Sequence, residues 1–326
     1  DKDFLFNRVN KDNLLFPFYK LKQVLLEIDV FIHTSDILHK KEADIIIYNE
    51  LPKKTFLKKR ELPLGNEINK SFLMLLECAV IRPDNYELYY HKFFNKILTW
   101  DDNLIKLNSS KYIKSNFTQH LSLDTTKSFT ERSNFCVCIS GNKKVSLPNE
   151  LYSERKKVIE WFEHNHPASF DLYGRGWGHF KVSSSSSYNF LNRLFTYLPN
   201  MPWLRPSWRG AIDDKLKILS DCKYNLCFEN AQGYDGYITE KIFDTFKAGA
   251  VPIYWGASNI QDHIPANCYI DFRQFEDIND CYEYMQSLSA YEYSQYQKSI
   301  KEFINSEASK QFKVESFIHN IQSIIK

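Results

Sequence analysis

The sequence predicts an α/β fold in two domains, and three observations carry that expectation. First, the stretch from Tyr224 to Gly256 parses as a short apolar strand, a loop punctuated by Gly233 and Gly236, an amphipathic helix, and a second strand. Second, strand-like apolar runs alternate with helix-period segments elsewhere in the chain, as parallel sheets with crossover helices require. Third, 326 residues exceed the size at which one core usually suffices, at about 100 to 200 residues per domain.

Taken in order, Phe18 to Ile28 carries apolar residues at helical intervals, and Val30 to His33 reads as a short strand. Ala43 to Tyr48 is an apolar strand of the kind buried on both faces of a parallel sheet. Leu51 to Arg60 holds Lys53, Lys54, Lys58, Lys59 and Arg60, and reads as a solvated face rather than an anion site. Ser71 to Cys78 gives the next strand and ends near Glu77. A carboxylate at that position must face a cleft, pair with a cation, or take up a proton more readily than usual, each of which suits a general base or an ion pair with Arg82. Phe93 to Trp100 forms another strand, closed by Asp101 and Asp102 as a cap or turn pair. Residues 108–133 are polar and apolar-poor, which marks them as the interdomain linker; the sequons at Asn108 and Asn116 fall there by chance.

Beyond the linker, Asn134 to Ser140 restarts a strand, and Ser153 to His164 a helix with Arg155 in its opening turn. Phe170 to Tyr173 runs into a glycine-rich turn, Gly174 to Gly178, too degenerate for a nucleotide fingerprint. A serine run from Ser183 to Ser187 and a tryptophan-bearing loop with Trp203 and Trp208 follow, the rings packing rather than stacking on sugars. Ala211 to Cys222 is helical. Past Gly256, Cys268 to Phe272 reads as a strand, Ile278 to Leu288 as a helix, and the tail as helical without heptads.

Composition narrows the function classes. A net charge of +2 with 25% charged residues gives no reason to invoke nucleic acid. Seven dispersed cysteines without paired CxxC spacing point to a reducing compartment and against a zinc site. No run of 18 apolar residues and no signal-peptide pattern occurs, which points to a soluble chain, although an anchor or leader could precede Asp1. The polar residues of the central stretch are the informative ones. Glu240 and Lys241 stand in the first helical turn, and Asn230, Tyr234 and Tyr237 flank the loop, at the C-terminal strand edge where open α/β sheets bind ligands. A lysine at a helix start suits a phosphate, and a glutamate there can accept hydrogen bonds from sugar hydroxyls.

Several segments together resemble one family. Phe228-Glu229-Asn230, the run Tyr237 to Lys241, the run Ala248 to Gly256, and Ile264-Pro265 resemble the signature of the α-1,3/4-fucosyltransferases, glycosyltransferase family 10. Glu77, Arg82 to Tyr86 and Leu98 to Asp102 resemble its bacterial members, so that about two thirds of the chain is in register. The resemblance implies a GT-B architecture, two Rossmann-like domains facing across a cleft, with an acceptor-binding domain over residues 1–128 and a GDP-fucose-binding domain with a helical tail over 129–326. It implies inverting transfer of L-fucose from GDP-β-L-fucose to a GlcNAc or Glc hydroxyl of a Gal-GlcNAc-type acceptor, N-acetyllactosamine or lactose. The linkage would be α-1,3 or α-1,4, as in Lewis-type antigens and lipopolysaccharide O-antigens. Carried over by position, Glu77 matches the base, and Arg155, Asn230, Tyr237, Glu240 and Lys241 match donor contacts; no bound divalent metal or other cofactor is expected. The location implied is cytoplasmic, with peripheral membrane contact left open, or the Golgi lumen if a membrane anchor was trimmed. A GT-B transferase of another nucleotide sugar and a catalytically silent sugar-binding module remain as alternatives.

Overall fold

The computed structural model describes residues 3–6, 15–54, 60–124, 127–178 and 205–325. Two parallel sheets organise them. The first has strands β1 (Ile46–Asn49), β2 (Ser71–Leu75), β3 (Ile97–Thr99) and β4 (Tyr112–Lys114) in spatial order 1-2-3-4. The second has β5 (Asn134–Ile139), β6 (Phe170–Tyr173), β7 (Cys222–Phe228), β8 (Val251–Trp255) and β9 (Ile270–Asp271) in order 6-5-7-8-9. Every pairing within them is parallel.

Strand β2 shows why the first sheet is sandwiched. All five of its residues are buried, Phe72 and Met74 facing one core and Leu73 and Leu75 the other, as period-two alternation dictates. The first of those cores is closed by helix α1 (Phe16–Leu26) and by the chain's last helix, Val314–Ile325, whose Val314, Phe317, Ile318, Ile321 and Ile324 are buried. The end of the tail thus returns to the first sheet rather than staying with the second. Its apolar stripe has a partner there, and Asn320 donates to the Lys114 carbonyl at 2.8 Å. The second sheet packs helix α2 (Tyr152–Asn165) on one face and helix α3 (Glu240–Lys247) on the other, through Val158, Ile159 and Phe162 and through Ile242, Phe243 and Phe246.

Two expected elements differ. Val30 to His33 forms no strand: its residues alternate, with Phe31 69% exposed, but no neighbouring strand pairs with them, and the Asp3 carboxylate takes the Thr34 amide. The polar stretch 108–133 contains β4, a three-residue strand between lysines that is too short to show a pattern. The same stretch holds Asn116, which is 7% exposed and bonded to Gln311, so that sequon is not a surface acceptor. Residues 183–204, with the serine run and Trp203, lie outside the described residues; Trp208 packs, its indole N–H donating to the Gly174 carbonyl at 2.9 Å. All seven cysteines are buried and unpaired. Among the described residues no helix is long and apolar enough to cross a membrane.

The Asp101-Asp102 pair splits into two roles. Asp101 caps the helix Asp102–Leu107, accepting from the Asn103 and Leu104 amides. Asp102 instead joins the two sheets' layers: it accepts from Lys114 at 2.5 Å, and from Asn259 at 2.9 Å and His263 at 2.8 Å across the interface. The loop that carries Gly236 is pinned by the same group of residues, with the Gly236 amide on Asn259 at 2.8 Å and the Asp102 amide on the Asp235 carbonyl at 3.2 Å. Gly236 has φ +84°, and a Cβ there would lie 2.4 Å from the Trp100 carbonyl oxygen, so only glycine allows this approach.

Candidate functional site

A cleft of about 940 Å³ lies between the two sheets, lined from the first by Glu50, Glu77 and Asn116 and from the second by Tyr152, Arg155, Asn230, Tyr237, Glu240 and Lys241. All six sequence-predicted site residues therefore share one cavity.

On the second side, the end of β7 and the start of α3 build a charged cluster around Glu229. This carboxylate is fully buried and accepts from the Thr239 amide at 2.8 Å, the Thr239 hydroxyl at 2.7 Å and the Lys241 ammonium at 3.1 Å. Gly256 makes room for it, because a Cβ there would meet Glu229 Cγ at 2.5 Å. Thr239 is the N-cap of α3, yet its hydroxyl goes to Glu229 and makes no cap bond. Lys241 also reaches Thr239 Oγ1 at 2.9 Å and lies 3.7 Å from Glu240. Burial opposes its charge, but Glu229 and Glu240 outweigh burial and hold its pKa above the ordinary lysine value. Burial likewise pushes the Glu240 carboxyl up, and Lys241 and Lys215 more than reverse that, so it stays ionised below the usual carboxylate range.

Arg155 is 4% exposed in the first turn of α2, and its Nη2 donates to the carbonyls of Phe228 at 2.6 Å and Glu229 at 2.9 Å. Asn230 donates to the Tyr237 hydroxyl at 3.5 Å. Tyr237 is 1% exposed, its ring 4.7 Å from that of Trp100, so it sits in the contact between the two halves as much as in the cleft wall.

On the first side, Glu77 follows β2 and is partly buried. Burial and then the Glu50 charge push its carboxyl pKa up; Lys143 and Lys241 pull it back in part, and Glu240 pushes it up again. Glu50 is the residue that sequence reasoning missed here. Its Oε1 accepts the amides of Leu76 and Glu77, both at 2.8 Å, and its other oxygen accepts from the buried Asn85. Its backbone has φ +72°, in the left-handed region that a non-glycine residue occupies only when its surroundings hold it there. The reasoning applied to Glu77 would have found it, since Glu50 also directly follows an apolar strand, although β1 is half-buried at the sheet edge and not buried on both faces as expected. Glu229 stood within a recognised triplet but carried no assigned role, because burial depth is not visible in a sequence.

Among the described residues no group of three or more His, Cys, Asp or Glu could hold a metal ion. Arg155 and Lys241 beside the start of α3 on one wall and a proton-avid carboxylate on the other are groups that can bind a phosphorylated ligand and accept a proton from a second.

Comparison with known proteins finds likenesses to fucosyltransferases. The family model described as glycosyltransferase family 10 (fucosyltransferase) C-term matches residues 145–321. An alpha-(1,3)-fucosyltransferase of Helicobacter pylori is 29% identical over 153 residues, which cover 43% of this chain and 31% of that protein. An alpha-(1,4)-fucosyltransferase of Arabidopsis thaliana is 39% identical over 70 residues, covering 22% of this chain and 17% of the relative. The alignments thus span about a third or less of these curated relatives. Among solved structures, an alpha1,3-fucosyltransferase superposes with a TM-score of 0.52 at 13% identity over 95% of this chain and 86% of that one. An alpha-glucosyltransferase complexed with UDP and a 13-mer DNA gives 0.53 at 13% identity over 96% of each chain. These likenesses establish the fold as GT-B.

Proposed function

The chain belongs to glycosyltransferase family 10, the fucosyltransferases, and from that premise we propose that it transfers L-fucose from GDP-β-L-fucose, with inversion, to a GlcNAc or Glc hydroxyl of a Gal-GlcNAc-type acceptor. The linkage proposed is α-1,3, as in Lewis-type antigens. One observation carries this reading: Glu77, from the first sheet, shares a single cleft with Arg155, Glu240 and Lys241 from the second. The division of labour follows, with the domain over residues 1–128 holding the acceptor and that over 129–326, its last helix apart, holding the donor.

In the proposed step the acceptor oxygen bonds to the anomeric carbon of fucose while the bond from that carbon to the β-phosphate oxygen breaks. The electron pair leaves on GDP, and the acceptor proton passes to Glu77. Arg155, Lys241 and the N-terminal end of α3 stabilise the departing charge, Glu240 accepts from the ribose hydroxyls, and Asn230 and Tyr237 position the transferring end. Stabilisation against heat by GDP-fucose, GDP-mannose and UDP-galactose tests the donor. GDP-fucose should raise the midpoint most, and stabilisation by the uridine donor alone would sink the reading. Linkage analysis of products from type 1 and type 2 acceptors then fixes the α-1,3 assignment.

Glu50 predicts a pH effect on the same reaction. Its charge helps raise the Glu77 pKa, and Glu77 works as a base only when ionised, so activity rises as pH rises through that pKa. Removing the charge lowers the Glu77 pKa, and the acid limb of kcat/KM in Glu50→Gln should move to lower pH. The glutamine oxygen can still accept the Leu76 and Glu77 amides, but its amide nitrogen would face that of Asn85, so the melting midpoint is measured beside the pH profile to show that the fold holds. A limb that stays in place, or moves upward, contradicts this coupling.

A further inference from the structure

Tyr152 opens helix α2, one turn before Arg155, and is one of the residues lining the cleft while remaining 6% exposed. Its hydroxyl oxygen is buried and, among the described residues, has no hydrogen-bond partner. Leaving a buried hydroxyl unpaired costs about 1–3 kcal/mol, so folded proteins seldom retain one without a use for it. The oddity is local to this cavity in part: the Asn116 and Asn225 side-chain oxygens are also buried and unpartnered, and both residues line the same cleft.

The charges around the phenol place it between the two halves of the proposed reaction. Burial pushes its pKa up, Arg155 and Lys241 draw it down, and Glu77 and Cys78 push it up again, to about 12 in all. It is thus a neutral donor at physiological pH, influenced at once by the proposed base and by both proposed phosphate cations. The Arg155 guanidinium carbon lies 5.4 Å from its ring centroid, which ties the ring to the residue that grips the end of β7.

We propose that Tyr152 contacts the substrate directly, its phenol donating a hydrogen bond to the diphosphate oxygen that separates from the sugar during transfer. The assignment rests on the donor reading given above. A donor aimed at the oxygen where negative charge develops is worth more in the transition state than in the ground state. No proton changes hands at Tyr152: the acceptor proton goes to Glu77, and the phenol only shares its own.

Tyr152→Phe removes that donor and keeps the ring. Because the hydroxyl has no protein partner, the free variant should melt at the wild-type temperature or above it, whereas loss of a structural hydroxyl would lower it. With GDP-fucose and N-acetyllactosamine, kcat should fall by about 10-fold to 100-fold while KM for GDP-fucose stays within about threefold. Wild-type kcat in the variant overturns the assignment and leaves the donor reading intact, as does a melting temperature several degrees below wild type. A wild-type protein that GDP-fucose does not stabilise, and that transfers no fucose, overturns the donor reading and the Tyr152 assignment with it.

Discussion

Glu77→Gln should lower the rate of fucosyl transfer by about 10²-fold or more while donor binding stays close to wild type. Glutamine has the shape of the carboxyl but cannot take the acceptor's proton, so the attacking oxygen would have to lose it to water. The backbone is spared, because Glu50 holds Leu76 and Glu77 through their amides and not through the Glu77 side chain. Stability should move the other way. Burial and the Glu50 charge raise the Glu77 pKa in the folded protein, so folding disfavours the ionised form, and that penalty is present at pH values above the folded pKa. At neutral pH the glutamine variant should therefore melt no lower than wild type. Turnover by product release, donor affinity by calorimetry and the melting midpoint together decide the matter. Near-normal turnover would remove Glu77 from the role of base, and a large drop in donor affinity would move it to the donor site.

The α/β plan with two parallel sheets and most elements were legible because parallel strands read as apolar runs and their crossover helices keep a 3.6-residue period. Helix α3 is the clearest case, with Ile242 and Phe246 buried as its spacing required. What failed was short or long-range. Strand β4 has three residues, too few for any period, and the return of the last helix to the first sheet depends on which apolar face remains open once the chain has folded. The proposed site was readable at Glu77, Glu240 and Lys241, where a charged residue sits near a strand or helix end and the structure brings all three to one cleft. Glu50 and Glu229 stand out only through their burial and backbone partners, and Tyr152 only through a buried hydroxyl, none of which a sequence displays. Tyr152 in particular is hidden in a sequence with 20 tyrosines.

Glu229→Ala should destabilise the folded protein by about 3 kcal/mol or more, since it takes the nearer carboxylate from the Lys241 ammonium and leaves the Thr239 amide and hydroxyl without their buried acceptor. Glu229 is fully buried, whereas Lys241 keeps 20% of its side chain exposed, so the loss falls mainly on the carboxylate's site and on the Thr239 amide it accepts. Lys241→Ala should cost less, because Glu229 would keep both Thr239 donors. The pairing raises the Lys241 pKa above its unfolded value, so its contribution is fully present below the ordinary lysine pKa and is lost only as pH rises through the folded one. Measurements at pH 7 thus see all of it. The double variant should be less destabilised than the sum of the two singles, by about 1–2 kcal/mol in denaturant titrations, because once the ammonium is gone the missing carboxylate leaves no charge unpaired. Donor binding separates structure from function in the same set: Lys241→Ala should weaken GDP-fucose affinity even where its fold is intact. Strict additivity would mean that Glu229 does not hold Lys241, and unchanged donor affinity in Lys241→Ala would mean that the ammonium it holds does not meet the diphosphate.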